Sequence, residues 1–215
     1  MAIRGGPDII EDGLVLHLDA ADRNSYPLTG NIWYDLSGNG NNGTFGASTA
    51  APTFSSSNGG VLSFDGGDEI QKDSFSITPQ NNELSICLWY LTSNNANNSM
   101  LIDLCNSDTP STNRDRFSIR QNWSSSSPVA NRISCYFRNS TASFFYAYLP
   151  DQVVTNTWNH IGYTKNGNTL YAYLNGQQVA NKSVSGDIAA INRLIIGDDN
   201  ISSNRLTGKV SLVSV

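Results

Sequence analysis

Charge is scarce in this chain. Asp, Glu, Lys and Arg supply 14% of its 215 residues, and the net charge is -5. No basic patch of the kind a phosphate backbone requires can be assembled, so nucleic acid is not an expected partner. Glu occurs only at Glu11, Glu69 and Glu83 and His only at His17 and His160. Both imidazoles sit in alternating, strand-like phrases, so a Ser-His-Asp arrangement has little support. Cys87, Cys105 and Cys135 are widely spaced inside apolar stretches and form no C-x-x-C pair, which excludes a local zinc or redox motif and leaves buried free thiols as the expectation. No run approaches the roughly 20 apolar residues of a membrane span, and MAIRGGPDII lacks the apolar core of a secretory signal. A protein made without a signal peptide is expected. No glycine-rich phosphate loop leads into a helix, since Thr207-Gly208-Lys209 precedes a strand.

Asn and Ser, in contrast, make up about a quarter of the residues, a composition that favours turns and strands over helices. The six N-x-S/T sequons, beginning at Asn42, Asn97, Asn122, Asn139, Asn181 and Asn200, follow from that composition and carry little weight. Met1 to Asp12 has no alternating pattern and holds Gly5, Gly6 and Pro7, so residues 1–12 read as an extended arm and 13–215 as one β domain. Leu14, Leu16 and Leu18 alternate with Val15 and His17, the period of a half-buried strand. Arg23 to Ser57 reads as irregular, interrupted at Trp33 to Leu36. Further strands are predicted at Val61–Phe64, Phe75–Ile77, Leu84–Leu91, Met100–Leu104, Phe117–Gln121, Arg132–Phe137, Phe144–Leu149, His160–Lys165, Thr169–Leu174, Gln177–Ser183, Arg193–Gly197 and Lys209–Val215. Asn94 to Asn98 is expected to be a hairpin tip. Asn166-Gly167 and Asn175-Gly176 stand between alternating runs, and Asn-Gly is the strongest short hairpin signal. Tyr163 to Gln178 is therefore expected to form a three-stranded meander.

The phrases GLVLHLDAAD (from Gly13), WYDLSGNGNNGTF (from Trp33), VLSFDGGDEI (from Val61), WNHIGYTKNGNTLYAYLNG (from Trp158) and RLIIGDD with RLTGKVSLVSV (from Arg193) resemble, in this order, the laminin-G-like branch of the concanavalin A-like lectin/glucanase superfamily. The resemblance implies an all-β fold, a two-sheet antiparallel jelly-roll sandwich, with the first and last strands neighbours. Relatives commonly continue past the final strand, so a processed or truncated form ending at Val215, with an exposed edge beside it, is expected. Several relatives cleave polysaccharides, but the Glu-x-Asp-x-Glu strand motif of the glucanases is absent here. Asp68-Glu69 is a turn pair whose side chains alternation would send to opposite faces. A non-enzymatic protein is expected. Trp89 and Trp158 match the family's core pattern and are read as packing residues.

Two constellations are candidates for binding. Dense oxygen donors and glycines at Asp35-Leu-Ser-Gly-Asn-Gly-Asn-Asn-Gly could wrap calcium, with Asp19, Asp35, Asn39, Asp65 and Asp68 as ligands. The alternative is that these residues cap turns through their own backbone. For sugar recognition, in which a ring stacks on a pyranose while amides bond hydroxyls, the candidates are Trp123, Asn122, Trp33 and Tyr34. Trp123 lies in a loop without core alternation, and the alternative there is a ring folded over the sandwich edge. The phrases look most like modules of tailed-phage structural proteins, which implies a virion component (capsid decoration, fibre or tail) assembled in the host cytoplasm. Its arm would contact other virion proteins or copies of itself, and its loops would reach host-surface glycans. The alternative is a bacterial carbohydrate-binding adhesion module with a calcium site, extracellular or on the cell surface.

Overall fold

Alternation along the chain becomes sixteen strands among the described residues. The computed structural model describes residues 10–93, 99–106, 115–121, 132–139, 143–150, 154–188, 190–199 and 205–215. The strands are β1 (His17–Asp19), β2 (Ile32–Trp33), β3 (Gly43–Phe45), β4 (Thr53–Ser55), β5 (Val61–Asp65), β6 (Ile70–Ile77), β7 (Leu84–Leu91) and β8 (Ser99–Cys105). They continue as β9 (Arg116–Gln121), β10 (Ile133–Arg138), β11 (Phe144–Tyr148), β12 (Asn159–Asn166), β13 (Thr169–Leu174), β14 (Gln177–Ser183), β15 (Ile191–Ile196) and β16 (Thr207–Ser214).

Every pairing is antiparallel. One sheet runs β14-β13-β12-β7-β16-β5-β4, with β1 also on β16, and the other runs β11-β10-β9-β8-β15-β6-β3-β2. The inward faces of both sheets form one core that includes Leu16, Leu62, Leu88, Tyr90, Leu104, Phe117, Phe137, Ile161, Leu194 and Val213, the arrangement of an aligned β-sandwich. The jelly-roll expectation holds. The predicted meander is β12-β13-β14, and Asn175 at its second turn adopts φ +51°. First and last strands pair, His17 opposite Ser214 and Asp19 opposite Leu212.

Differences from the sequence reading have local causes. The opening strand is shorter than Leu14–Leu18, because Val15 and Leu16 spend their amides on the single carbonyl of Val215. The segment expected to be irregular between Arg23 and Ser57 holds β2, β3 and β4, each too short to display a period. Trp89 is not a core residue. In β7 the inward places belong to Leu84, Ile86, Leu88 and Tyr90, so Trp89 faces outward and is 40% exposed. Tyr90 holds the inward position by bonding Gln121 across the core. Cys105 and Cys135 are buried free thiols, whereas Cys87 is only partly buried. The hairpin tip at Asn94 to Asn98 lies outside the described residues, as does the arm up to residue 9.

Gly60 closes the turn into β5 at a backbone conformation, φ +151°, that side chains rarely adopt. A Cβ there would stand 2.4 Å from the Ala20 carbonyl oxygen, and that oxygen belongs to backbone that cannot rotate away. Gly60→Ala is expected to destabilise the domain by about 2–4 kcal/mol, read as a lower urea midpoint with an unchanged slope.

Candidate functional site

The Asp35 loop is organised from its own carboxylate. Asp35 Oδ1 accepts the amides of His17 and Ser37, both at 2.9 Å. Its Oδ2 accepts the Ser37 hydroxyl at 2.8 Å and the Asn41 amide at 2.9 Å. Asn42 accepts the Asp35 amide, while Asn39 and Asn41 donate to the carbonyls of Leu14 and Val15. The loop is thereby stitched to the approach of β1. Asp19 likewise accepts the Ala21 amide, Asp65 that of Gly67 and Asp68 that of Asp65, each at 2.8 Å. The five candidate calcium ligands are thus divided between two places. Asp19, Asp35 and Asn39 serve the start of the sandwich, and Asp65 and Asp68 hold the β5–β6 turn. Among the described residues no group of three or more His, Cys, Asp or Glu side chains is arranged to hold a metal ion. Burial raises the Asp68 carboxyl above its ordinary range.

The candidate sugar residues separate as well. Trp33 is fully buried in the core, a correction to its reading as a stacking ring. Trp33 pairs with Gly43 across β2 and β3, and its side chain is turned into the core. Tyr34, next in the chain, points outward and is 41% exposed. Asn122 and Trp123 lie outside the described residues. Beside the Asp35 loop, β2, β3 and β6 bound an open groove of about 540 Å³, lined by Ile32, Asn42, Thr44, Gln71 and Asp73 among others. Ile32, Thr44 and Gln71 lie in one cross-strand row. Gln71 accepts from Arg193 and donates to Glu69 at 2.9 Å, and Arg193 also pairs with Asp73 at 2.9 Å. Desolvation and the Asp198 charge raise the Glu69 carboxyl. The groove therefore offers amide, hydroxyl, carboxylate and ammonium groups along a largely polar lining. No motif marks it, since its residues come from three separate stretches of chain.

The far half of the same sheet face is built differently. Asp103, Ser118, Tyr136 and Tyr146 form one row across β8 to β11, flanked by Arg120 with Ser134 and by Arg116 with Arg138. Arg120 lies 4.8 Å from the Tyr136 ring centroid and Arg138 4.7 Å from that of Phe144. Arg116 faces Asp103 at 3.5 Å and Arg120 faces Asp199 at 3.7 Å. Tyr136, Phe144, Tyr146 and Tyr148 stack in series at 5.0–6.0 Å. All three arginines and Asp103 are buried. Desolvation raises the Asp103 carboxyl despite the facing guanidiniums. This is a charge-paired, cation-π layer that ties four strands together beneath the surface.

On the other sheet His17 Nδ1 and Ser214 Oγ share a 2.8 Å hydrogen bond. Asp35 takes the backbone amide of His17, so Ser, His and Asp do not form a relay. Burial lowers the pKa values of His17 and His160 below the ordinary imidazole range.

These features describe a lectin-type jelly roll with an accessible polar groove. Residues 64–215 match the family model of the concanavalin A-like lectin/glucanases superfamily, and the chain belongs to that superfamily. No curated protein matches it. Among solved structures, domain 4 of AbnA, a GH43 extracellular arabinanase from Geobacillus stearothermophilus, in complex with arabinotriose, is similar with a TM-score of 0.68 and 15% identity, covering 94% of this chain and 90% of that one. The botulinum neurotoxin type G receptor binding domain has a TM-score of 0.59 and 17% identity over 93% of this chain and 46% of its own. Mouse laminin alpha1 domains LG4-5 have a TM-score of 0.53 and 11% identity over 78% and 43%. At these identities the likeness is one of fold.

Asp35→Ala would remove four accepted hydrogen bonds at once. It is expected to cost about 2–4 kcal/mol, with the same fall in melting temperature in calcium and in chelator, as a capping residue requires and a metal ligand does not.

Proposed function

We propose that this domain is a non-catalytic glycan-binding module whose site is the groove over β2, β3 and β6. The observation that carries the reading is the groove itself, about 540 Å³, of a size for one or two sugar rings and lined by a few fixed polar groups beside Ile32 and Phe45. The named relatives support it: an arabinanase domain in complex with arabinotriose and a toxin's receptor binding domain share the fold. Asp198 lies beside Glu69 but is buried and paired with Arg205 at 3.2 Å, which leaves two accessible carboxylates near the groove, Glu69 and Asp73. Four residues apart along extended chain they are separated by about 13 Å, more than the roughly 5–9.5 Å of glycosidase pairs. Asp73 is moreover paired with Arg193.

A Thr44→Arg substitution would fill the groove from an exposed strand position. Loss of a set of the glycans bound by the wild-type protein on a mixed array, at unchanged melting temperature, is the expected result, and an unchanged array profile refutes the groove. The same array with calcium and with chelator tests calcium as a cofactor.

The carrier in this reading is a tailed-phage particle, supported by the wording of GLVLHLDAAD and the phrases after it, with an extracellular adhesin as the alternative. Ile10 is 81% exposed where the chain enters the sandwich, which suits an arm that docks elsewhere. Deleting residues 1–12 is expected to leave thermal unfolding unchanged and to abolish incorporation into particles. Normal incorporation removes that role from the arm.

A further inference from the structure

The outward face of the sheet opposite the groove carries a second platform. Trp89 stands on β7, the middle strand of its sheet, between Leu212 on β16 and His160 on β12. Its indole is 40% exposed, and the His160 ring leans against it at 5.3 Å and 47°. One row further along, Cys87, Gly162 and Tyr173 lie side by side, and beyond them Ser85, Thr164 and Tyr171. The hydroxyls of Ser85 and Thr164 bond each other at 2.9 Å.

Gly162 is the informative residue. A glycine inside a strand weakens it and commonly marks a place where a ligand approaches closely. Neither usual structural reason for glycine holds here. Its φ is not positive, and an added Cβ would meet only ordinary contacts, 3.5 Å from the Tyr173 Cβ and 3.8 Å from the Cys87 Cβ. The sheet surface is therefore low at the centre of a ring of Trp89, His160, Tyr173, Thr164 and Cys87.

The chemistry of the face selects its ligand. β7, β12 and β13 present no charged side chain on it, the flanking strands add one charge of each sign, Asp19 beyond Leu212 in the Trp89 row and Lys209 opposite Leu91, and burial favours the neutral form of His160. An indole face with the Tyr173 ring one row away and the Ser85 and Thr164 hydroxyls two rows away suits a ring with an apolar face and hydroxyl edges, with Asp19 offsetting Lys209 at its margin. We infer that the Trp89 face is a second binding site, for a pyranose ring of a neutral glycan, independent of the groove on the other sheet.

A glycan array of neutral and acidic oligosaccharides, read with the wild-type protein and four variants, tests this. The expected result is a set of neutral glycans whose signal falls at least tenfold in Trp89→Ala, falls in Gly162→Val, and stays within about threefold in Trp89→Phe. The same set should persist in Thr44→Arg, so that loss of the groove and loss of this face are read separately. Trp89→Phe, which keeps an aromatic ring, guards against a folding defect in Trp89→Ala. Coinciding profiles of wild type and Trp89→Ala on every neutral glycan overturn the inference, as does a Trp89-dependent set that is wholly acidic.

Discussion

Strand β16 is the constraint on which the sandwich depends. Along one edge its first half, Thr207 to Val210, pairs with β5, and its second half, Leu212 to Ser214, pairs with β1. Its opposite edge is occupied by β7. The Ser211 carbonyl accepts the Ala20 amide, the Ser211 hydroxyl reaches the Gly60 carbonyl, and the Val215 carbonyl receives Val15 and Leu16. One strand thus joins the described residues 10–65 to the centre of the molecule. These contacts span nearly 200 residues of sequence (His17 to Ser214, |i−j| = 197), so the entropy of closing that loop must be met before they form. The Asp35 loop and the groove hang from the same anchor, because Asp35 is tied to the His17 amide.

What the sequence makes legible is whatever repeats. The long strands β6 to β16 announce themselves by a period of two, and the Asn-Gly turns fix the meander. Strands β2 and β3, of two and three residues, carry no period, and they are the ones that frame the groove. Facing is equally hidden where both alternatives are apolar. In SICLWYL either Trp89 or Tyr90 could have been inside by composition. Register with His160 and Leu212 puts Trp89 outside. Trp33 is the converse case, a ring beside an oxygen-rich loop that reads as a platform until β2 turns it into the core. The oxygen-rich loop itself is ambiguous in principle, because residues that cap turns are the residues that bind calcium. The four hydrogen bonds on Asp35 are those of a turn cap.

The two halves of the groove-bearing sheet divide labour by charge. Asp103, Arg116, Arg120 and Asp199 are buried in pairs. Buried pairs of this kind contribute little net stability against an apolar core of equal volume, but removing one partner is costly. Such a layer specifies register across β8 to β11 in a way that alternating apolar residues alone do not, since a one-residue slip would set Arg116 against the core. The groove half holds its pair, Arg193 with Asp73, at the surface, where Asp73 is largely exposed, and is correspondingly open.

The opposition of the two proposed faces has a consequence for avidity. The sheets of a sandwich pack about 10 Å apart, and the groove and Trp89 lie on outward surfaces of different sheets. A single short oligosaccharide would have to wrap around the edge to touch both, so intramolecular chelation, the usual source of large avidity gains, is geometrically disfavoured. On this proposal each face would instead meet a different glycan strand. Weak binding on two opposed faces links separate chains, and a module of this shape gains its retention from the density of the glycan surface around it rather than from the affinity of either site.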